Sequence, residues 1–208
     1  MPGPVLEFWY DFASTYSYLA AMRIEAAAEE AGVKVHWRPF LLGPIFAAQG
    51  WTTSPFNLFP DKGRYMWRDM EREAARLGVP FCRPDPFPQN SLLAARVALV
   101  GLDQGWTPAF TKAVFAAEFG KSRNISDPAA LSIVLTDLGL DAGAVMEQAQ
   151  AEANKARLRR IGEEAQLRGI FGAPCFVAED RELFWGNDRL ERALDWATAR
   201  ARHSDVPV

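Results

Sequence analysis

The chain has 208 residues and a formal net charge of -3, enough length for one good-sized domain or one domain with a large insertion. Hydrophobic residues at 49% and charged residues at 24% are ordinary for a soluble globular protein, and the slight acidity gives no electrostatic reason to expect nucleic acid or an anionic membrane as partner. No stretch approaches the roughly 20 apolar residues of a membrane span, and "MPGPVLEF" lacks the basic region and apolar run of a signal peptide, so a cytosolic protein is expected, with an organellar location left open.

Residues 5–12, "VLEFWYDF", are apolar, aromatic and partly β-branched, as in a buried strand. Residues 15–31 follow with Tyr16, Leu19, Ala20, Ile24, Ala27 and Ala31 on a helical stripe, stopped by Gly32. Residues 33–40, "VKVHWRPF", alternate as a half-buried strand does, which completes a β-α-β unit with parallel strands. Residues 43–63 are rich in Gly, Pro and aromatic side chains and predict a long irregular connection. From there the pattern is helical over 61–77, 90–102, 107–119, 127–138, 141–149 and 151–168, with Ser91 and Asp127-Pro128 as helix-start signals. Strand character returns at 175–180 and 182–186, an antiparallel hairpin, and a last helix opens at Asn187 or Asp188. The order β-α-β, helical block, β-β-α predicts an α/β thioredoxin-like fold with a large all-helical insertion. Residues 1–40 and 171–208 form the discontinuous thioredoxin-like part, and residues 41–170 the helical insertion.

Cys82 and Cys175 are the only cysteines, with no CxxC and so no local dithiol or compact zinc site. Both are expected as small buried residues. Neither His36 nor His203, the only histidines, has the partner pattern of a Ser-His-Asp triad. What stands where the first strand gives way to a helix is Ser14-Thr15-Tyr16-Ser17. Serine has no accessible thiolate and cannot exchange disulfides. It can cap the helix, or it can donate a hydrogen bond to an external anion beside the unpaired N–H groups of the helix end.

Five stretches in order, "FWYDFASTYSYLA", "KGRYMWRDMEREAARLGVPF", "NSLLAAR", "RGIFGAPCFV" and "LFWGNDRLERAL", resemble the 2-hydroxychromene-2-carboxylate isomerases. These are DsbA-like thioredoxin-superfamily proteins related to the kappa-class glutathione transferases. That family usually has proline where this chain has Thr15. The resemblance implies glutathione as cofactor, no metal, and conversion of 2-hydroxychromene-2-carboxylate, or a related aromatic hemiketal acid, to trans-o-hydroxybenzylidenepyruvate. The same site could instead serve a kappa-like transferase or a DsbA-like binding module without turnover. By resemblance Ser14 is catalytic and holds the glutathione thiolate, with Ser17 structural. Ala173 makes strand-like hydrogen bonds to the cysteinyl part, and Pro174 is cis. Trp185, Gly186, Asn187 and Asp188 contact glutathione, as do Lys62 and Asn57, with Thr53 or Ser54 able to replace Asn57. Asn90 stands near the aromatic substrate, and a homodimer is implied. Each residue also has a plainer reading: an Asx cap at 187–188, a helix cap at Asn90, solvated surface at Lys62. Trp9, Tyr10, Phe40, Trp51, Phe56, Phe59 and Trp67 suit either an aromatic pocket or the core.

Overall fold

The structure, a computed structural model, describes residues 3–204, and the His203 side chain lies outside the described part. Four strands form one mixed sheet in the order β2-β1-β3-β4. Strand β1 (Val5–Tyr10) pairs in parallel with β2 (Lys34–Pro39), Val5 opposite Lys34 and Tyr10 opposite Pro39. On its other side it pairs antiparallel with β3 (Cys175–Ala178), Leu6 opposite Ala178 and Trp9 opposite Cys175. Strand β4 (Leu183–Trp185) completes the predicted hairpin. Between β2 and β3 the described residues contain helices and no strand, as the sequence pattern required.

Successive side chains of a strand point to opposite faces, so β1 feeds two cores. Leu6, Phe8 and Tyr10 enter the larger one, where Phe8 stacks on Tyr10 at 4.9 Å and on Phe176 at 5.6 Å. The ring column continues through Phe12 to Phe115, 5.2 Å apart, on α7 (Thr107–Phe115). Trp9, Cys175 and Val177 enter the second core, against α6 (Leu92–Gln104) and α10 (Glu152–Leu167). There the Trp9 indole N–H donates to Glu7 at 2.9 Å, and the Arg38 and Arg168 guanidiniums lie 4.5 and 5.6 Å from its ring. Arg168 bonds both Glu7 and Glu164, which pins α10 to the sheet.

Three expectations are corrected. The helix of 15–31 is two, α1 (Thr15–Ala21) and α2 (Ile24–Ala31). The break leaves Arg23 outside both helices, where its Nε donates to Asn187 Oδ1 at 2.9 Å and its guanidinium also meets the Asn187 carbonyl and Glu191. The connection of 43–63 is not irregular throughout. It holds α3 (Leu42–Ala48), α4 (Pro55–Leu58) and the start of α5 (Pro60–Leu77). Its prolines fall in first turns, where a missing N–H costs nothing. Cys82 is exposed, although Cys175 is buried as expected. The remaining helices, α8 (Pro128–Asp137), α9 (Ala142–Gln150) and α11 (Leu190–Ser204), lie close to prediction, and Asp127 caps α8 through Ala129 N at 2.9 Å.

Helices α4 and α5 touch at Gly63, where a Cβ would stand 2.3 Å from the Phe56 carbonyl oxygen. That contact is with backbone, which cannot turn aside as a side chain can. Gly63→Ala is expected to lower stability by about 1–3 kcal/mol, read by denaturant unfolding, with the damage centred on the α4–α5 wall.

Candidate active site

The end of β1 runs into a turn organised by Asp11. Ser14 N donates to the Asp11 carbonyl at 3.0 Å and Ala13 N to Asp11 Oδ1 at 3.0 Å. Asp11 Oδ2 accepts from Leu42 N, at the start of α3, at 2.7 Å, and the Ser91 side chain lies alongside. One buried carboxylate thus ties the turn to the first residues of the helical insertion.

Ser14 is the N-cap of α1, its Oγ accepting from Ser17 N at 3.2 Å. The same oxygen donates its proton to the Ala173 carbonyl at 3.0 Å. Of the first N–H groups of α1, those of Thr15 and Tyr16 find no carbonyl partner. Thr15, where the resembling family has proline, uses its hydroxyl to bond Met66 Sδ at 3.4 Å, and the Tyr16 hydroxyl donates to Asp69 at 2.9 Å, so both tie α1 to α5. Ser17 Oγ is buried without a hydrogen-bond partner.

Ser14 lies on the wall of a cleft of about 1530 Å³ that also takes in Lys62, Asn90, Ala173, Trp185, Gly186, Asn187 and Asp188. The Ala173-Pro174 bond is cis, and the Pro174 carbonyl accepts from Gly186 N at 2.9 Å, which sets the 185–188 segment beside Ala173. Pro174 itself is not a lining residue. Gly186 has φ +109, and a Cβ there would stand 2.6 Å from Asp188 Oδ1, so glycine is required. Trp185 is 53% exposed and Phe171 47%, their rings 4.9 Å apart at the lip of the cleft. Asn187 is buried with its oxygens committed to Arg23, while Asp188 pairs with Arg189. Lys62 Nζ sits 4.7 Å from the Phe59 ring centroid.

Two expected ligand contacts stand differently. Asn57 does not line the cleft. Its amide donates to Thr53 Oγ1 and to the Phe87 carbonyl, both at 3.2 Å, while Thr53 and Ser54 do line it. Asn90 lines the cleft, but its Oδ1 accepts from Leu92 N at 3.0 Å and so caps α6. Among the aromatic residues, Trp51 and Phe56 are lining residues and Trp9, Tyr10 and Phe40 are core. Phe59 and Trp67 are neither lining nor fully buried, and Trp67 packs on Phe87 at 4.7 Å.

Two acidic residues were not singled out in the sequence. Asp11 follows the first strand directly, where aspartate is an ordinary turn residue, so its position gave no distinguishing signal. Glu118, in the π-helical turn Ala116–Gly120 after α7, gave none. It is fully buried, and both carboxyl oxygens lack a hydrogen-bond partner. Burial, and then the Asp11 charge, raises the Glu118 pKa well above the ordinary range. Burial also raises that of Asp11, against the donors Leu42 N, Ser91 and Ala13 N that favour its ionised form. Cys175, two residues past Ala173, donates to the Gly172 carbonyl at 3.2 Å, and burial pushes its thiol up to about 12, so it is not a nucleophile at neutral pH. His36 is exposed on β2 and forms no triad with Ser14.

This arrangement, a thioredoxin-like sheet with a helix N-terminus facing a cis-proline turn, is that of the DSBA-like thioredoxin domain. The model of that domain matches residues 5–195, and the chain belongs to this family, among the 2-hydroxychromene-2-carboxylate isomerases and their relatives. It is 33% identical over 187 residues to the 2-hydroxychromene-2-carboxylate isomerase of Sphingobium xenophagum, with 89% of this chain and 94% of the relative covered. It is 25% identical over 205 residues to human glutathione S-transferase kappa 1, covering 91% and 90%. A solved structure of a 2-hydroxychromene-2-carboxylate isomerase superposes with a TM-score of 0.83 at 27% identity, over 98% of this chain and all of that one.

The Glu118 environment fixes a sign. A carboxyl whose folded pKa is raised keeps its proton in the native state after the unfolded chain has lost it. Stability is therefore full below the unfolded carboxyl range and falls as pH rises toward the folded pKa, by up to about 1.4 kcal/mol per pH unit. Glu118→Gln mimics the protonated form. Denaturant midpoints across pH are expected to fall less steeply above pH 5 for the variant than for wild type, so that the variant is the more stable at neutral pH.

Proposed function

We propose that the protein is a glutathione-dependent isomerase acting on 2-hydroxychromene-2-carboxylate or a related aromatic hemiketal acid, with trans-o-hydroxybenzylidenepyruvate as product. The observation that carries this reading is the Ser14 hydroxyl on the cleft wall, against the Ala173 carbonyl. The fold offers that place to a sulfur, and this chain has no sulfur there: Cys175 is buried and protonated, and Cys82 is exposed and not a lining residue. An external thiol is the reading this arrangement supports. The names of the relatives, isomerases and glutathione transferases, support the same conclusion.

The lining residues fit glutathione. The Ala173 main chain would take the cysteinyl N–H as an added strand does. Lys62 would pair with one carboxylate, Asp188 would accept from the α-ammonium group, and Trp185 would cover the backbone between them. Thr53 or Ser54 takes the place given to Asn57. Bound there, glutathione supplies a thiolate that adds to a conjugated carbon and later leaves, so that a double bond is transiently single and can rotate.

Ser14 acts by exchanging acceptors. Its Oγ is clamped by Ser17 N while its proton points at the Ala173 carbonyl. Rotation about the Cβ–Oγ bond turns that proton into the cleft without breaking the clamp. The Ala173 carbonyl is then free for a peptide N–H, and the serine proton for a sulfur anion. In a site this sheltered such a charge-assisted bond is strong. The second core and the Asp11 turn hold both partners still. A kappa-like transferase would use the same geometry with net conjugation. Full recovery of free glutathione after turnover is the expected result, and a stable adduct would assign the transferase instead.

The exposed Leu58 of α4, Tyr65 of α5 and Phe59 between the two helices support a homodimer, expected as a two-chain mass in light scattering at micromolar concentration. A cytosolic location completes the reading; no described helix is long and apolar enough to cross a membrane.

Ser14→Ala tests the assignment. The fold is expected to survive with the loss of about 1 kcal/mol for the cap. The pKa of bound glutathione should rise by about one to two units, the worth of one charge-assisted hydrogen bond. Turnover at neutral pH should fall by about ten- to a hundredfold and recover in part at higher pH. Ser17→Ala should change neither. Ultraviolet absorbance of the bound thiolate against pH, beside isomerisation rates, reads all of these. An unchanged thiol pKa in Ser14→Ala would reduce Ser14 to a helix cap.

A further inference from the structure

Arg23 stands in the break between α1 and α2 and does not line the cleft, yet it is spent on a residue that does. Its Nε donates to Asn187 Oδ1 at 2.9 Å, and its Nη2 to the Asn187 main-chain carbonyl. Its Nη1 meets Glu191, in the first turn of α11, so the Arg23 charge is balanced on the far side from Asn187. The Arg23 side chain is only 17% exposed, which leaves these partners little competition from water.

This fork settles which way the Asn187 amide faces. A side-chain amide presents an oxygen on one side and two N–H donors on the other. Turned over, Asn187 would set N–H against the Nε–H of Arg23. With both oxygens of the residue taken, the side-chain NH2 is the polar group that remains. Nδ2 has no hydrogen-bond partner among the described residues, and unlike Ser17 Oγ it is not sealed away from solvent. Asn187 lines the cleft beside Asp188, so the cleft is offered a fixed donor next to an acceptor carboxylate. A tie between the helix break and α11 would account for the Arg23–Glu191 pair. It does not account for a guanidinium that takes both oxygens of a cleft residue.

We propose that Arg23 is a positioning residue that makes the cleft selective for a γ-glutamyl thiol, by holding the Asn187 amide with its N–H groups toward the α-carboxylate of the ligand. The proposal rests on the glutathione reading and adds to it the group that recognises the glutamyl end. That end carries a carboxylate and an ammonium group on one carbon. Asn187 Nδ2 and the Asp188 carboxylate are the matching donor and acceptor, side by side in the chain. The effect of Arg23 is orientation more than charge, since Glu191 already balances the guanidinium. A lysine at this position would keep the charge and lose the fork.

The test is calorimetric titration of the full-length protein with glutathione and, separately, with 4-aminobutyryl-cysteinyl-glycine, which keeps the ammonium group and the thiol and lacks only the α-carboxylate. Wild type is expected to prefer glutathione by about ten- to a hundredfold, the worth of a hydrogen bond to a charged group. Asn187→Asp keeps an acceptor for Arg23 but turns an oxygen to the cleft, and is expected to lose that preference. Arg23→Gln and Arg23→Lys are each expected to lose about tenfold in glutathione affinity. Affinity for the analogue should not fall in any variant. With the Arg23 variants, KM for glutathione should rise while kcat at saturating glutathione is kept. Equal losses for both peptides in the Arg23 variants would make Arg23 a structural tie and overturn the proposal. Full glutathione affinity in Arg23→Lys, or an unchanged preference in Asn187→Asp, would overturn it too. In each of these cases wild type still binds glutathione; a wild type that bound neither peptide would overturn the glutathione reading as well.

Discussion

The hydrogen bond from Ser14 Oγ to the Ala173 carbonyl joins residues 159 positions apart and sets where everything near the cleft can be. It exists because β1 and β3 are antiparallel neighbours, so that the exit of one strand meets the approach to the other. Hydrogen bonds of this kind are modest in net stability. Its importance is geometric: it fixes the start of α1 against the cis-proline turn. Around it the protein has placed second supports. Asp11 holds the turn from one side, Pro174 holds Gly186 from another, and Arg23 reaches from the break between α1 and α2 to hold Asn187. The helix break that looks like a defect in the 15–31 pattern is what frees Arg23 for that contact.

The same supports bring an electrostatic cost. Asp11 is a buried carboxyl whose N–H and O–H donors favour its ionised form against the cost of burial, and Glu118 behind it has no donor at all. Two carboxyls in one apolar setting separate into a charged and a neutral member when one has donors and the other lacks them. The anion proposed to form at Ser14 is favoured by groups that act at short range, the hydroxyl and the Thr15 and Tyr16 N–H groups.

Most of the fold was legible because its signals are local. The alternation of 33–40, the Gly32 stop and the Asp127-Pro128 start each depend on a few adjacent residues, and each was found close to its expected place. Ser14, Ala173 and Asp188 were legible only through motifs taken together, since no single one specifies a cleft. What escaped depends on distant backbone. Asp11 is satisfied by Leu42 N, Asn57 is drawn off by the Phe87 carbonyl, and Cys82 is exposed on the irregular 79–90 segment. None of these partners leaves a pattern in neighbouring residues. Glu118 was hidden for another reason: within an otherwise regular helical stretch, only a π-turn and its packing bury it.

The paired use of the Ser14 oxygen has a consequence for molecular discrimination. Because its proton already rests on a neutral carbonyl, a guest gains little by offering one more neutral oxygen or sulfur to it; one bond is merely traded for another. The trade becomes favourable when the guest is ionised, since a hydrogen bond to an anion is roughly twice as strong as one between neutral groups. In the proposed mechanism the serine works as a charge filter. A tripeptide identical to glutathione but with a hydroxyl in place of the thiol could match every backbone contact and still forfeit the one interaction that distinguishes an anion from an alcohol.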